Sequence, residues 1–166
     1  MKPAPTLAAR ACLLLMLTAS AVAWAQQLET KFSCSTTRDE DGERVIYADN
    51  GEIRIEGNRI VAFRWESALY RPTHGFDCSI DEDDGLRLEA GKDAASAKWR
   101  ISLANGQQAR ERRGFNFSRG LNCSIRLERE GDTLNIKPSC PALCGSRANF
   151  SELSVDMKTG KCRHEE

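Results

Sequence analysis

The chain has 166 residues, with 24 basic and 24 acidic side chains that give a formal net charge of zero. This balance provides no overall attraction for nucleic acid or anionic membranes, which argues against proteins that bind such polymers through their global charge. With two histidines and seven cysteines, the composition favours disulfide bonds over histidine-based catalysis.

The first 25 residues have the three parts of a secretory signal peptide. Lys2 and Arg10 form a positive start, Leu13–Leu17 an apolar run, and Ala23-Trp-Ala25 an A-x-A cleavage pattern. The segment is too short and wrongly flanked for a stable membrane span, and a retained signal anchor is the alternative. Cleavage would leave a single domain, residues 26–166, with no later membrane span and a location in the periplasm or outside the cell.

The rest of the chain alternates between apolar and polar residues in short segments, which predicts β-strands. No segment after the signal peptide has a convincing helical period. Polar turns and two acidic loops, Asp39–Gly42 and Asp81–Gly85, separate the segments. In chain order the predicted strands are Leu28–Cys34, Val45–Ala48, Ile53–Ile55, Ile60–Trp65, His74–Ile80, Leu86–Leu88, Lys98–Leu103, Phe115–Phe117, the hairpin Cys123–Cys140 and Asn149–Val155.

Two turn signals predict a three-stranded meander near the start of the domain. Asn50-Gly51 suits a type I′ turn and Gly57-Asn58 a type II′ turn, because both supply positive φ where a hairpin needs it. The two turns place the same isoleucines on one face. The predicted cross-strand pairs are Ile46 with Ile55, Ala48 with Ile53, Ile55 with Ile60, and Ile53 with Ala62.

A later hairpin is predicted to turn at Gly131-Asp132. Its apolar face pairs Leu127 with Ile136 and Ile125 with Pro138. Its polar face places Ser124, Arg126 and Glu128 against Asn135, Lys137 and Ser139. The register also brings Cys123 opposite Cys140 in a non-hydrogen-bonded pair, where Cα atoms approach to about 4.5 Å and a disulfide is accepted.

Six cysteines remain after signal cleavage, and in an exported chain they predict three disulfides. The expected pairs are Cys123–Cys140, Cys144–Cys162 and Cys34–Cys78. The rival assignment joins Cys140 to Cys162. A metal site at Cys140-x-x-x-Cys144 lacks a second pair of ligands.

The predicted fold class is all-β, an antiparallel, disulfide-stapled β-sandwich or small barrel. A β-trefoil is the alternative, because an apolar-x-Cys-Ser pattern recurs at Cys34, Cys78 and Cys123 with nearly equal spacing. The tryptophans Trp65 and Trp99 do not follow this spacing.

No sequence motif of a known catalytic class occurs in the chain, and no cofactor is predicted. A histidine base would have to be His74 or His164. His74 next to Gly75 at a strand start is more typical of a surface residue. We therefore expect a protein that is not an enzyme, with a small hydrolase using His74 and a carboxylate as the alternative.

Binding residues are predicted in the acidic loops and in an arginine-rich segment, although a solvated surface is the simpler interpretation of each. The candidates are Asp39, Glu40, Asp41, Asp81, Glu82, Asp83, Asp84, Arg110, Arg112 and Arg113. A calcium site would require the two acidic loops to be neighbours, because neither has the ligand spacing of an EF-hand.

The segment from Cys140 to Phe150, CPALCGSRANF, resembles a segment found near the end of various exported bacterial proteins. The plan of a signal peptide followed by a small disulfide-bonded β-domain resembles the periplasmic inhibitors of c-type lysozyme. The loop motif with which those inhibitors enter the enzyme is not found in this chain, so none of their residues is carried over. The resemblance implies a binding module of the bacterial envelope, with an unknown protein or glycan as partner. Inhibition of a cell-wall hydrolase such as lysozyme is the specific version, and a structural envelope protein is a further alternative.

Overall fold

A computed structural model describes residues 27–81, 84, 86–89, 97–103, 111–112, 123–144 and 148–165. The signal peptide and the predicted strand Phe115–Phe117 lie outside these residues, so both stay predictions. The described part of the chain contains ten β-strands. They are β1 (Gln27–Glu40), β2 (Glu43–Glu56), β3 (Arg59–Tyr70), β4 (Gly75–Ile80), β5 (Leu86–Glu89), β6 (Lys98–Leu103), β7 (Ser124–Glu130), β8 (Thr133–Pro138), β9 (Leu153–Asp156) and β10 (Cys162–His164).

The strands form two antiparallel sheets. The first has the order β1-β2-β3-β4 and the second the order β10-β9-β8-β7-β6-β5, so each sheet follows the chain as a meander. Neither sheet closes on itself among the described residues, and the sandwich prediction is confirmed. The β-trefoil alternative is wrong, because Cys34 and Cys78 lie on the two edge strands of one sheet whereas Cys123 precedes an interior strand of the other.

The core lies between the sheets and contains the inward-facing residues of both. Trp65 and Phe63 of the first sheet are fully buried, as are Ile125 and Leu127 of the second. The Trp65 ring meets the edge of Phe150 with ring centroids 4.7 Å apart. Burial of each such side chain contributes roughly 1.5–3 kcal/mol, so the alternating pattern of the strands determines which face turns inward.

The predicted turn at Asn50-Gly51 is wrong, because β2 continues straight through this dipeptide. Gly51 serves a close approach instead: a Cβ there would lie 2.5 Å from a ring carbon of Phe32 and against the carbonyl oxygen of Arg64. The turn that precedes β2 is Asp41-Gly42, where both residues have positive φ, 54° and 80°.

The turn at Gly57-Asn58 is confirmed, with Ile55 opposite Ile60 as predicted. A register shift next to Ile55 then places Ile53 opposite Phe63 rather than Ala62. The extra residue in β3 is a β-bulge, which increases the local twist of the strand pair.

The later hairpin has the predicted register and the predicted Cys123–Cys140 disulfide. The other two predicted disulfides are wrong, because the bonds are Cys34–Cys162 and Cys78–Cys144. Cys34 and Cys78 stand on opposite edges of a four-stranded sheet. Three strand spacings of about 4.8 Å separate them by roughly 14 Å, well beyond the reach of a disulfide.

Candidate functional site

Four residues of the first sheet lie side by side on its inner face, one from each strand. They are direct register partners and form what we call the inner row: Cys34, Asp49, Ser67 and Cys78. Each is joined to a residue of the C-terminal segment 144–164. The pairs are Cys34–Cys162, Asp49–His164, Ser67–Asn149 and Cys78–Cys144.

The polar links of the inner row are short and buried. Ser67 Oγ donates to the carbonyl oxygen of Asn149 at 2.8 Å, and Asn149 Nδ2 donates back to the carbonyl oxygen of Ser67 at 2.7 Å. Both residues are fully buried. Reciprocal bonds of this kind satisfy backbone groups that burial would otherwise leave without a partner.

Asp49 is one of the two middle members of the row. Its Oδ1 accepts a hydrogen bond of 2.7 Å from Trp65 Nε1, and its Oδ2 lies 2.7 Å from His164 Nε2. The side chains of Asp49 and His164 are 0 % and 4 % exposed. The second ring nitrogen of His164, Nδ1, is buried and has no hydrogen-bond partner.

An aspartate–histidine pair is a common part of hydrolytic sites, but here protein encloses it and it connects the two sheets. Sequence reasoning gave His164 no role. The available signal was the alternation Cys162-x-His164, which places both side chains on one face of a strand. Its partner, 115 positions earlier in the chain, left no local signal.

The predicted catalytic candidate His74 is exposed, and its Nδ1 lies 3.0 Å from the hydroxyl of Thr73. No carboxylate contacts it among the described residues. The geometry therefore gives His74 the surroundings of a surface residue.

The first acidic loop is the tip of the β1–β2 hairpin. Asp39 and Asp41 are exposed there. Glu40 is engaged, since it accepts hydrogen bonds from Tyr47 at 2.6 Å and from Arg71 at 3.1 Å. Burial, with a smaller contribution from the hydrogen bond to Glu40, raises the pKa of Tyr47 to about 12.

The second acidic loop follows β4 and closes on itself. Asp84 is buried, and its Oδ2 accepts a hydrogen bond of 3.0 Å from the backbone N–H of Asp81. The backbone N–H of Asp84 donates to the carbonyl oxygen of Asp81 at 3.1 Å. Glu82 and Asp83 lie outside the described residues, so their predicted role is untested.

The two acidic loops lie at opposite ends of the first sheet. Gly75, at the start of β4, is the end of β4 that lies toward the β1–β2 turn. Asp81 follows the opposite end of β4, where Ile80 is aligned through Trp65 with Gly51 of β2. About nine residues of strand, roughly 30 Å, separate them. They do not form the shared calcium site, and no cluster of three or more His, Cys, Asp or Glu able to hold a metal occurs in the described ranges.

Of the arginine-rich segment, Arg110 and Arg113 lie outside the described residues and Arg112 is exposed. A different set of cations meets on the outer face of the second sheet. Adjacent strands place three of them in register, in what we call the cationic row: Arg100, Arg126 and Lys137. The row borders a depression of about 200 Å³, whose other lining residues are Ser124, Pro138 and Ser139.

The two serines of the depression are fixed by mutual bonds. Ser124 N–H donates to Ser139 Oγ, and Ser139 N–H donates to the carbonyl oxygen of Ser124, both at 2.8 Å. Arg100 Nε donates to Ser124 Oγ at 3.2 Å. The Cys123–Cys140 disulfide joins the residue before Ser124 to the residue after Ser139 and closes this end of the hairpin.

Ion pairs surround one side of the cationic row. Lys137 lies 3.0 Å from Glu152 and 3.7 Å from Glu128. The hydrogen bond to Glu152 raises the pKa of Lys137. Burial by itself would raise the pKa of Glu128, but the hydrogen bond and charge of Lys98 and the charges of Lys137 and Arg126 outweigh it and lower that pKa. Arg126 has no carboxylate within 4 Å among the described side chains.

Comparison with protein-family models, curated proteins and solved structures finds no match to this chain.

Proposed function

We propose that this protein is an exported, non-enzymatic binding module of the bacterial cell envelope, which holds its partner on an exposed surface of the sandwich. The observation that carries this proposal is the inner row, whose members Cys34, Asp49, Ser67 and Cys78 are all joined to the C-terminal segment. The buried polar side chains of the first sheet thus connect it to the C-terminal segment.

Export is supported by the three disulfides, since such bonds persist in oxidising compartments and are rare in the cytosol. The pattern of the first 25 residues favours the same route. No helix among the described residues is long and apolar enough to span a membrane. We assign the folded domain to the periplasm or the cell exterior as part of the proposal.

A rigid scaffold suits a binding role. Disulfides and buried hydrogen bonds fix the surface before the partner arrives, which reduces the conformational entropy lost on binding. The cationic row offers such a fixed surface, because strands β6, β7 and β8 carry its three side chains. Binding at the candidate acidic residues stays a prediction.

The inhibitor version of this proposal is constrained by the positions of the acidic loops. Loops that lie about 30 Å apart at opposite ends of a sheet cannot both enter one enzyme cleft. A basic enzyme such as lysozyme would meet either Asp39 and Asp41 or the loop at Asp81. Replacement of Asp39 and Asp41 by asparagine would abolish inhibition if the first loop were used.

A binding experiment with the oxidised domain, residues 26–166, tests the proposal. Immobilised protein is exposed to a fractionated bacterial envelope extract, and we expect one component to be retained at a fixed stoichiometry. The control is the same domain reduced and alkylated, which should lose the component because the binding surface depends on the fold. The proposal is wrong if the oxidised domain retains nothing, or if the reduced domain retains the same component equally well.

A further inference from the structure

We infer that the depression beside the cationic row is a binding site for a phosphate group. This inference deepens the proposed function and rests on it, because it names the chemical class that the module recognises. Three observations carry it: the adjacency of like charges, the donors that line the depression, and the local charge.

Like charges are placed directly side by side in the cationic row. Arg126 stands opposite Arg100 on one neighbouring strand and opposite Lys137 on the other. Direct cross-strand pairs of equal sign destabilise a sheet. A polar face that stabilised the fold alone would alternate charges, as Lys98 and Glu128 do at 3.3 Å on the same two strands. The departure from that rule is typical of a site that a ligand completes.

The side chains of the depression offer hydrogen-bond donors. Ser124 Oγ accepts from Arg100, and Ser139 Oγ accepts from the backbone of Ser124, so each hydroxyl still has its own hydrogen to donate. Arg100 and Arg126 are exposed residues, and their guanidinium groups can only donate. A ligand that satisfies these groups must be rich in acceptor oxygens.

The local charge favours a dianion. Among the described side chains, four cations and two carboxylates leave a net charge of +2. They are Lys98, Arg100, Arg126, Lys137, Glu128 and Glu152. A phosphate monoester carries about −1.5 to −2 at neutral pH, whereas a carboxylate carries one charge. Arginine binds both phosphate and carboxylate groups through two parallel hydrogen bonds. A carboxylate has only two acceptor oxygens, whereas a phosphate monoester has three or more.

The size and rigidity of the site agree with one such group. The volume of about 200 Å³ corresponds to roughly seven water molecules, which is room for a phosphate and its nearest atoms. The rest of the ligand can extend into solvent past Arg126. Because the Cys123–Cys140 disulfide joins the chain neighbours of the two serines, the spacing of their hydroxyl groups is set before binding.

The test is a titration of the oxidised domain with inorganic phosphate. Binding is monitored by NMR through the backbone amide signals of Ser124, Arg126 and Ser139. We expect saturable shifts at these amides and weaker binding of acetate at equal ionic strength. Arg126→Gln should weaken phosphate binding about tenfold or more, because a charge-assisted hydrogen bond is lost. The control Arg64→Gln, at an exposed arginine of the first sheet, should leave the affinity unchanged.

Two further probes identify the source of the phosphate. Glucose 1-phosphate represents a soluble sugar phosphate, and vesicles containing phosphatidic acid represent a lipid headgroup. Binding of either that Arg126→Gln removes supports the site. Vesicle binding without any binding of inorganic phosphate would overturn it in favour of a diffuse membrane contact.

The outcomes also separate this inference from the proposed function. If phosphate causes no shift at Ser124 and Ser139, or if Arg126→Gln binds it as well as the unaltered domain, the site is wrong. An envelope component still retained by that variant would then leave the binding function standing. If phosphate binds but no component is retained, the site holds and the wider function fails.

Discussion

The inner row and the cationic row have the same arrangement of residues, but their side chains are paired differently. Each consists of polar residues from adjacent strands that stand side by side on one face of a sheet. In the inner row every member has a partner elsewhere in the chain. In the cationic row Arg126 has cations on both sides instead.

The difference between the two rows follows from burial, because unpaired polar groups cost more inside the protein than on its surface. A buried polar group without a partner costs about 1–3 kcal/mol, so pairing inside the molecule stabilises the fold. Exposed charges carry a smaller penalty, so a surface can keep an unfavourable arrangement that a ligand later relieves. The inner row thus holds the C-terminal segment in place, whereas the cationic row is the surface that we propose for binding.

Loss of the disulfide at one end of the inner row should have the largest effect. Cys34→Ser with Cys162→Ser opens a link between residues 128 positions apart, whereas Cys123→Ser with Cys140→Ser opens one of 17. Loop-closure entropy predicts a loss of about 5 kcal/mol for the first pair and about 3 kcal/mol for the second. Urea unfolding of the oxidised domains measures both. An equal or larger loss for the short link would contradict the role given to the inner row.

Removal of the one carboxylate of the inner row should have the next largest effect. Asp49→Ala leaves Trp65 Nε1 and His164 Nε2 buried without their acceptor, so the free energy of unfolding should fall by about 3–5 kcal/mol. The control Asp77→Ala removes an exposed carboxylate of the same sheet and should change stability by less than about 0.5 kcal/mol. Similar losses for the two variants would show that Asp49 does not connect the sheets.

The inner face next to the row should also respond to alkaline pH. Tyr47 has a pKa raised to about 12, first by burial and then by the hydrogen bond to Glu40. An unfolded tyrosine loses its proton near pH 10, so the folded state holds the proton more tightly between pH 10 and 12 and stability falls there as pH rises. The total loss is about 2–3 kcal/mol.

Tyr47→Phe should remove this part of the pH dependence, whereas Tyr70→Phe, at a half-exposed ring, should keep it. Unfolding free energies measured at pH 9.5 and pH 11.5, roughly on either side of the unfolded tyrosine pKa, give the comparison. A Tyr47→Phe domain that loses stability as steeply as the unaltered domain would show that another group titrates.

Local patterns predicted the cationic side of the molecule better than the inner row. The Gly131-Asp132 turn and the alternation around it placed Arg126 opposite Lys137 and Cys123 opposite Cys140, since both pairs follow from one short hairpin. The docking of Arg100 beside Arg126 depends on how β6 meets β7. Residues 104–123 separate these strands, and their sequence does not specify that register.

The inner row left almost no local signal. Asp49 and His164 are 115 positions apart, and six cysteines allow 15 pairings whose choice depends on which edges of the sheets meet. A strong turn dipeptide at Asn50-Gly51 also misled the prediction, because the packing of Phe32 over Gly51 overrode it. Tertiary contacts of this kind are not encoded in a window of neighbouring residues.

The smallest effect has the most informative sign. Arg126→Gln removes the central charge of the cationic row, so without ligand it should leave the fold unchanged or stabilise it by up to about 1 kcal/mol at low salt. The gain should shrink as salt screens the repulsion. Arg64→Gln is the control, since this arginine lies 3.8 Å from Glu66 and its loss should be neutral or slightly destabilising. Added phosphate should make Arg64→Gln the more stable of the two variants, because a ligand stabilises only the form that binds it. Thermal unfolding of both variants, with and without phosphate, measures the comparison. If Arg126→Gln is destabilised without ligand, the cationic row contributes to the fold and the division between the two rows is wrong.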